Sequence, residues 1–169
     1  MSLILVGGGA RSGKSRHALQ LARKCGPRLA FIATATATDD EYRGRIALHR
    51  QDRGPEFTTF EEPMAVPSLI DAQSGRFDAV VVDCLTLWIS NCMYAAPDAI
   101  EQECGRLVQA AASAPSSVIL VTNEVGCGIV PDNALARLFR DYAGKLNQQA
   151  AEAAAEVYWM VFGIALKVK

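Results

Sequence analysis

The feature that most constrains this chain is an eight-residue segment near its start, GGARSGKS over Gly8–Ser15. It fits the pattern G-x-x-x-x-G-K-[ST] at every fixed position. An apolar run at Leu3–Val6 precedes it, and a segment suited to a helix, Ser15–Lys24, follows it. That strand–loop–helix order is the context in which the pattern binds phosphate. A glycine-rich turn that matches by chance is the alternative, and the correct flanks disfavour it.

Each residue type in this segment has a task that a bound nucleotide explains. Glycines let the backbone curl, so that successive N–H groups point at a polyphosphate. Lys14 supplies a cation for the β- and γ-phosphate oxygens, and the Ser15 hydroxyl is suited to bind Mg²⁺. We therefore expect a nucleoside triphosphate to contact the whole loop, which consists of Gly8, Gly9, Ala10, Arg11, Ser12, Gly13, Lys14 and Ser15.

The composition favours one ordinary globular domain and gives no argument for a nucleic-acid or membrane partner. The 169 residues suit a single nucleotide-binding domain over 1–169, and 50% of them are hydrophobic. The formal net charge of −1 predicts no basic surface for nucleic acid or an anionic membrane. No apolar run approaches the roughly 18 residues of a membrane span. Because Gly7 and Gly8 end the first apolar run early, we expect no signal peptide and a cytoplasmic protein.

The cysteines and histidines give no indication of a resident metal. The five cysteines are scattered and none forms a C-x-x-C pair, so neither a zinc site nor a disulfide framework is predicted. Reduced thiols are the simplest expectation. His17 and His49 are too few for a histidine-rich site. The expected metal is Mg²⁺ carried by GTP or ATP as substrates, with no tightly bound prosthetic group.

Apolar β-branched runs alternate with helical stretches along the chain. Near-continuous apolarity is typical of strands that are buried on both faces of a parallel sheet. The runs are Leu3–Val6, Leu29–Ile32, Ala79–Val82, Val118–Val121 and Val157–Phe162, with weaker candidates at Phe57–Phe60 and Ala165–Val168. The last alternates and is expected at an edge. The pattern predicts the α/β class, as a P-loop NTPase with a doubly wound, mostly parallel sheet and helices on both faces.

The sequence predicts two further helices and one region of turns. A helix over 133–156 carries an apolar stripe expected to pack on the sheet, formed by Leu135, Leu138, Phe139, Tyr142 and Leu146. A second helix is expected from Ala99 to about Ala112. The region Pro63–Gly75 is rich in turn residues.

Polar residues at two strand ends are candidates for chemistry. Asp83 ends the run Val80–Val82, and a carboxylate at the tip of a strand beside the phosphate loop can hold Mg²⁺ directly or through water. An exposed aspartate without a function is the alternative. Glu124 follows the strand Val118–Val121, and it could act as a base or lie beside the metal.

His49 is the most unusual candidate. Asp39 and Asp40 could cap a helix from Glu41 to about Arg53, which would place Arg45, His49 and Arg53 on one face. Guanidinium groups on both sides disfavour protonation, so the imidazole would remain a neutral nucleophile. A surface histidine on a basic helix explains the same pattern, and the residues alone leave both interpretations open.

These residues together resemble the bifunctional adenosylcobinamide kinase / adenosylcobinamide-phosphate guanylyltransferase family of cobalamin biosynthesis. The resemblance spans nearly the whole chain, and the block TNEVGCGIVP is its most specific part. The similar segments are Gly8–Arg16, Ile32–Ala35, Arg45–Arg50, Asp83–Trp88 with Ser90 and Asn91, Val121–Pro131, Phe139–Asp141, and Asn147 with Gln148.

The resemblance implies phosphorylation of the hydroxyl on the aminopropanol arm of adenosylcobinamide, followed by coupling of GMP to that phosphate. It gives His49 the role of attacking the α-phosphorus of GTP and carrying GMP. It also implies a homotrimer. Beyond the loop, the nucleotide contacts that it implies are Ala33, Thr34, Ala35, Arg50, Gln51, Asp52, Arg53, Glu61 and Asp83.

Two other classes of function compete with this expectation. An ordinary small-molecule kinase would explain Lys14, Ser15 and Asp83, but it gives His49 no task. A nucleotide-dependent binding switch without chemistry is the other rival. The chain lacks the guanine-recognition motif N-K-x-D, since Thr122–Val125 has the wrong order. The sequence does not distinguish ATP from GTP as phosphoryl donor.

Overall fold

The computed structural model describes residues 1–35 and 53–169. In these ranges one mostly parallel sheet forms the centre of the molecule. Its strands are β1 (Leu3–Gly8), β2 (Leu29–Ala33), β3 (Phe57–Glu61), β4 (Ala79–Asp83), β5 (Ser117–Asn123), β6 (Glu156–Val161) and β7 (Ile164–Lys167). They are ordered β3-β2-β4-β5-β1-β6-β7. Only the β6–β7 pair among them is antiparallel, which confirms the predicted sheet and the edge position of the last strand.

Helices cover both faces of this sheet, as the sequence predicts. In the described ranges they are α1 (Lys14–Arg23), α2 (Val66–Gln73), α3 (Leu85–Ala95), α4 (Ile100–Ser113) and α5 (Ala134–Ala153), with 3₁₀ turns at Ser74–Arg76 and Pro97–Ala99. Helix α1 packs on one face, and the other four pack on the opposite face. None of these helices is long and apolar enough to cross a membrane.

The strand sequences divide their side chains between two cores. Leu3 and Leu5 of β1 join the cluster beneath α2–α5, while Ile4 and Val6 join the cluster beneath α1. The same alternation continues through β2, β4 and β5. Because both faces are covered, the central positions of these strands are apolar without alternation, and polar residues lie only at the ends of β4 and β5. β6 departs from this expectation, since most of its side chains are only half-buried.

The segment that the sequence predicts as turn-rich, Pro63–Gly75, contains helix α2 instead. Pro67 lies in the first turn of the helix, where its missing N–H costs nothing. The helix is secured from α3, because the fully buried Trp88 donates its Nε1–H to the carbonyl oxygen of Met64 at 2.8 Å. Tertiary packing therefore decides the conformation of a segment whose composition favours turns.

The apolar stripe expected on the last helix is only partly buried, which corrects the prediction. Leu135 and Leu138 are 47% and 46% exposed. The buried line runs through Ala143, Leu146 and Ala150 in the second half of α5, where the helix packs into the core formed with α3 and α4. Small alanines allow close approach there, whereas the first turns leave large side chains at the surface.

Two leucine truncations on α5 test this division. Leu146→Ala removes a fully buried side chain and is expected to lower the free energy of unfolding by about 2–5 kcal/mol. Leu138→Ala, on the same helix with half of its surface exposed, should cost less than about 1 kcal/mol. Urea denaturation followed by circular dichroism measures both values. Equal losses for the two variants would contradict the placement of the core.

Candidate nucleotide-binding site

The segment between β1 and α1 forms a tight loop that requires glycine at two positions. A Cβ atom on Gly8 would lie 2.8 Å from the carbonyl oxygen of Met160, so no larger residue fits beside β6. Gly13 has φ of +92°, a conformation that favours glycine, and it directly precedes the first residue of α1. Gly8 thus allows β6 to pack closely against the loop, and Gly13 allows the left-handed turn before α1.

Helix α1 begins directly after the loop and has no side-chain cap. The residue before the helix, Gly13, provides no side-chain cap, and helix N-termini leave their first N–H groups without intrahelical partners. No acidic residue lies in the first turn to neutralise the positive end of the helix dipole. This combination is suited to an anion such as phosphate.

Lys14 is held inside this loop. Its side chain is 7% exposed, and its Nζ donates to the carbonyl oxygen of Gly9 at 2.5 Å and to Ser12 Oγ at 3.5 Å. Burial lowers the pKa of Lys14, while the negative charge of Asp83 opposes that shift. A phosphate at the loop would give the ammonium a charged partner in place of a neutral carbonyl, which makes the hydrogen bond stronger.

Asp83 lies at the carboxyl end of β4, where its partly exposed carboxylate acts electrostatically on Lys14. With the Ser15 hydroxyl in the first turn of α1, it offers the hard oxygen donors that Mg²⁺ prefers. Within residues 1–35 and 53–169, no cluster of three or more His, Cys, Asp or Glu side chains could hold a metal. A Mg²⁺ ion here would therefore take its other ligands from nucleotide oxygens and water.

Thr34 joins the end of β2 to the residue that follows Asp83. Its hydroxyl donates to the carbonyl oxygen of Cys84 and accepts from the Cys84 N–H, both at 2.8 Å. Its own N–H donates to the carbonyl oxygen of Asp83 at 3.2 Å, and its carbonyl oxygen accepts from Asn91 Nδ2 at 2.9 Å. Thr34 is fully buried with every polar group engaged. Thr34 thus fixes the backbone at the carboxyl end of β2, between Ala33 and Ala35. Nucleotide contacts by these three residues stay predictions.

A polar network beyond the predicted residues connects the ends of β4 and β5. Asn123 Nδ2 donates to Thr86 Oγ1 at 2.8 Å, and Thr86 Oγ1 lies 3.0 Å from Cys84 Sγ. Burial raises the pKa of the Cys84 thiol, so the sulfur stays neutral in this network. Thr86, Asn91 and Asn123 are not among the predicted site residues, although each lies in a segment that carries the family resemblance.

The loop after β5 is tied to the phosphate loop. The Glu124 N–H donates to the carbonyl oxygen of Gly8 at 3.1 Å, and the Glu124 carboxylate accepts from the N–H of Gly126. Arg140 on α5 donates to the carbonyl oxygen of Gly126 at 3.0 Å. These contacts give Glu124 a structural task, and its action as a base stays a prediction.

Two predicted contacts lie far from the phosphate loop. Glu61 ends β3, which is separated from β1 by four strand spacings, or roughly 19 Å. Arg53 is buried with its guanidinium carbon 3.8 Å from the centre of the Phe31 ring. Its carbonyl oxygen accepts from Arg23, at the opposite end of α1 from Lys14. The described residues therefore do not bring Arg53 or Glu61 to the loop.

The remaining predicted site residues are His49, Arg50, Gln51 and Asp52. All four lie outside the described residues, as does most of the helix predicted over 41–53. Their roles stay predictions from the sequence.

Comparison with known proteins decides the family. The sequence model of cobinamide kinase / cobinamide phosphate guanyltransferase matches residues 4–168. The chain belongs to this family. It is similar to the bifunctional adenosylcobalamin biosynthesis protein CobU of Salmonella typhimurium, with 43% identity over 99% of both chains. It is also similar to CobP of Pseudomonas aeruginosa, with 41% identity over 98% of this chain and 96% of the relative.

Solved structures show the wider fold to which this member of the cobinamide kinase family belongs. The RadB recombinase superposes with a TM-score of 0.56 at 18% identity, over 94% of this chain and 73% of that one. The flagellar accessory protein FlaH of Methanocaldococcus jannaschii gives 0.56 at 13% identity, over 99% and 78%. At such identities the likeness concerns the fold alone, and it agrees with the predicted P-loop class.

The hydrogen bonds of Thr34 predict a specific stability effect. Thr34→Val keeps the shape but leaves the buried N–H and C=O of Cys84 without their hydroxyl partner, which should cost about 1–3 kcal/mol of unfolding free energy. Thr34→Ser retains the hydroxyl and should lose less. As a control, Thr59→Val changes an exposed threonine on β3 and should stay within about 0.5 kcal/mol. Chemical denaturation of the three variants tests this, and an unaffected Thr34→Val would contradict it.

Proposed function

We propose that this chain catalyses two reactions of cobalamin biosynthesis. It phosphorylates adenosylcobinamide with a nucleoside triphosphate, and it then transfers GMP from GTP to adenosylcobinamide phosphate, which gives adenosylcobinamide-GDP and pyrophosphate. The observation that carries the proposal is the family match over residues 4–168, joined to a phosphate loop that holds a buried lysine. The similar relatives are named as bifunctional proteins of adenosylcobalamin biosynthesis.

In the first reaction the substrate hydroxyl attacks the γ-phosphorus, and the bond to the bridging β-phosphate oxygen breaks. The loop amides and the Lys14 ammonium bind the phosphoryl oxygens as charge shifts toward the leaving group. Ser15 and Asp83 would hold Mg²⁺, which neutralises charge on the phosphates when it is bound. The negative charge of Asp83 opposes the lowering of the Lys14 pKa by burial, which supports their joint action on one triphosphate.

In the second reaction the neutral imidazole of His49 attacks the α-phosphorus of GTP, and pyrophosphate leaves. A phosphate oxygen of adenosylcobinamide phosphate then attacks the same phosphorus, and the P–N bond to His49 breaks. This route divides one difficult displacement into two in-line steps on a covalent intermediate. Support comes from the segment Arg45–Arg50, which resembles the family pattern around its nucleophilic histidine.

The separation of the proposed contacts is consistent with two binding modes. Attack at the γ-phosphorus and attack at the α-phosphorus each require in-line geometry, at atoms several bonds apart. One group of proposed contacts surrounds Lys14, and Glu61 lies four strands away at the other edge of the sheet. We infer that the phosphate loop serves the first reaction and that residues near the β2 and β3 ends take part in the second.

We further propose that the enzyme acts in the cytoplasm as a homotrimer. The family resemblance supports the assembly, and so do large apolar side chains that remain exposed in the single chain. They are Ile129, Val130, Leu135 and Leu138 near the start of α5, and Ile164, Leu166 and Val168 along β7. Sedimentation equilibrium that gave a monomer mass at micromolar concentration would contradict the trimer.

Labelled GTP tests the histidine intermediate. With Mg²⁺ and GTP labelled at the α-phosphate, the wild-type protein is expected to retain label that is labile to acid and stable to alkali, as a phosphoramidate is. His49→Ala should retain none, and it should still pass label from the γ-phosphate to adenosylcobinamide.

The control for this experiment is His17→Gln, because His17 is the only other histidine in the sequence. His17 packs edge-on against the Tyr158 ring at 4.9 Å and has no place in the proposed chemistry. The control should retain the α-label. Transfer from the γ-position without retained α-label would show a simple kinase, and binding without any transfer would show a switch.

A further inference from the structure

The turn between β6 and β7 lies directly against the phosphate loop. The Gly163 N–H donates to the carbonyl oxygen of Ser12 at 3.1 Å. A Cβ atom built on Gly13 would lie 3.5 Å from the Gly163 Cα atom, so the two backbones approach closely. Any group carried by this turn therefore stands at the border of the site that binds the triphosphate.

Phe162 occupies this turn with an energetically unfavourable backbone conformation. Its φ is +52°, in the left-handed region that large side chains rarely adopt and that the neighbouring Gly163 also uses, at +83°. Its side chain is 96% exposed, so the ring contributes almost no burial to the fold. Neither backbone preference nor packing accounts for an aromatic residue here. Strained residues of this kind are concentrated at binding and catalytic sites.

We propose that Phe162 binds the nucleobase of the triphosphate held by the phosphate loop, by stacking its ring on the base. The inference rests on the proposed function, because it adds a base contact to the same nucleotide site. The phosphate loop recognises phosphates only, so affinity for the nucleoside must come from groups beside it. Every base has a flat π-face, and an exposed aromatic ring can stack on it without a requirement for particular hydrogen bonds.

Arg16 adds a second group at the same place. One nitrogen of its guanidinium lies 3.5 Å from the Cβ positions of both Gly13 and Gly163, at the junction of the loop and the turn. A planar guanidinium can stack on an aromatic base or pair with the α-phosphate. Arg16 therefore lies against the residue that follows Phe162, close to the contact between Gly163 and Ser12.

A second protein surface is a more suitable partner for the neighbouring strand β7 than for the turn. Ile164, Leu166 and Val168 are also exposed, but they lie at alternate positions on β7 and just after it, as expected for a face that packs on another protein surface. Phe162 precedes that strand, in the turn that contacts Ser12. The nucleobase is therefore the occupant that we assign to Phe162, and a subunit contact is the competing outcome of the test.

Binding measurements with and without a base test the proposal. Isothermal titration calorimetry with Mg²⁺ compares GTP and ATP with inorganic tripolyphosphate, which occupies the loop but has no base. Phe162→Ala is expected to weaken GTP and ATP by about tenfold and to leave tripolyphosphate unchanged. Phe162→Trp should restore nucleotide affinity, and its fluorescence should be quenched by GTP but not by tripolyphosphate.

A glycine variant separates binding from folding. Phe162→Gly relieves the positive φ, so its thermal midpoint should not fall, while its affinity for GTP should fall as in Phe162→Ala. Equal weakening of GTP and tripolyphosphate, unchanged affinity for both, or a change of oligomeric state in Phe162→Ala would overturn the proposal. Retained α-label in wild type with unchanged GTP binding by Phe162→Ala would leave the enzyme assignment intact and refute this inference alone. Nucleotide binding does not require GMP transfer. The binding measurements therefore still test the role of Phe162 if wild-type protein retains no α-label.

Discussion

The buried ammonium of Lys14 is the group around which the nucleotide site is built. Lys14 is almost inaccessible, its Nζ is held by a neutral carbonyl and a hydroxyl, and burial lowers its pKa. A bound triphosphate would place negative charge directly against this ammonium, in place of the neutral carbonyl. The central position of β1, the close approach of β6 to Gly8 and the uncapped first turn of α1 all serve to build this concentrated positive site.

Much of the fold could be predicted because both faces of the sheet are covered. Uninterrupted apolar runs at β1, β2, β4 and β5 identify the strands, and Gly13 and Lys14 locate the first turn between strand and helix. Helix α2 was not predicted, since its composition favours turns and its order depends on the Trp88 bond to Met64. The exposed start of α5 was also mistaken for core. Periodicity identifies an apolar face, but it does not reveal what covers that face.

The residues of the site also differ in how far the sequence identifies them. Residues whose task is set by local chain geometry, such as Gly8, Lys14 and Ser15, can be identified from one continuous motif. Thr86, Asn91 and Asn123 could not, because their partners are up to 57 residues away in the sequence and meet only when the strand ends assemble. The sequence predicts Phe162 as the last residue of a strand, whereas the structure places it after β6, in a turn where its φ is positive and the next residue contacts Ser12.

In the function that we propose, one small domain both transfers a γ-phosphoryl group and carries GMP on His49. Peptide mapping by mass spectrometry, after incubation with GTP and Mg²⁺ and handling at alkaline pH, tests it most directly. We expect the added mass of one guanylyl group on the single peptide that contains His49, and its loss when adenosylcobinamide phosphate is added. GMP attached to another residue, or an unmodified protein that still forms adenosylcobinamide-GDP, would contradict it.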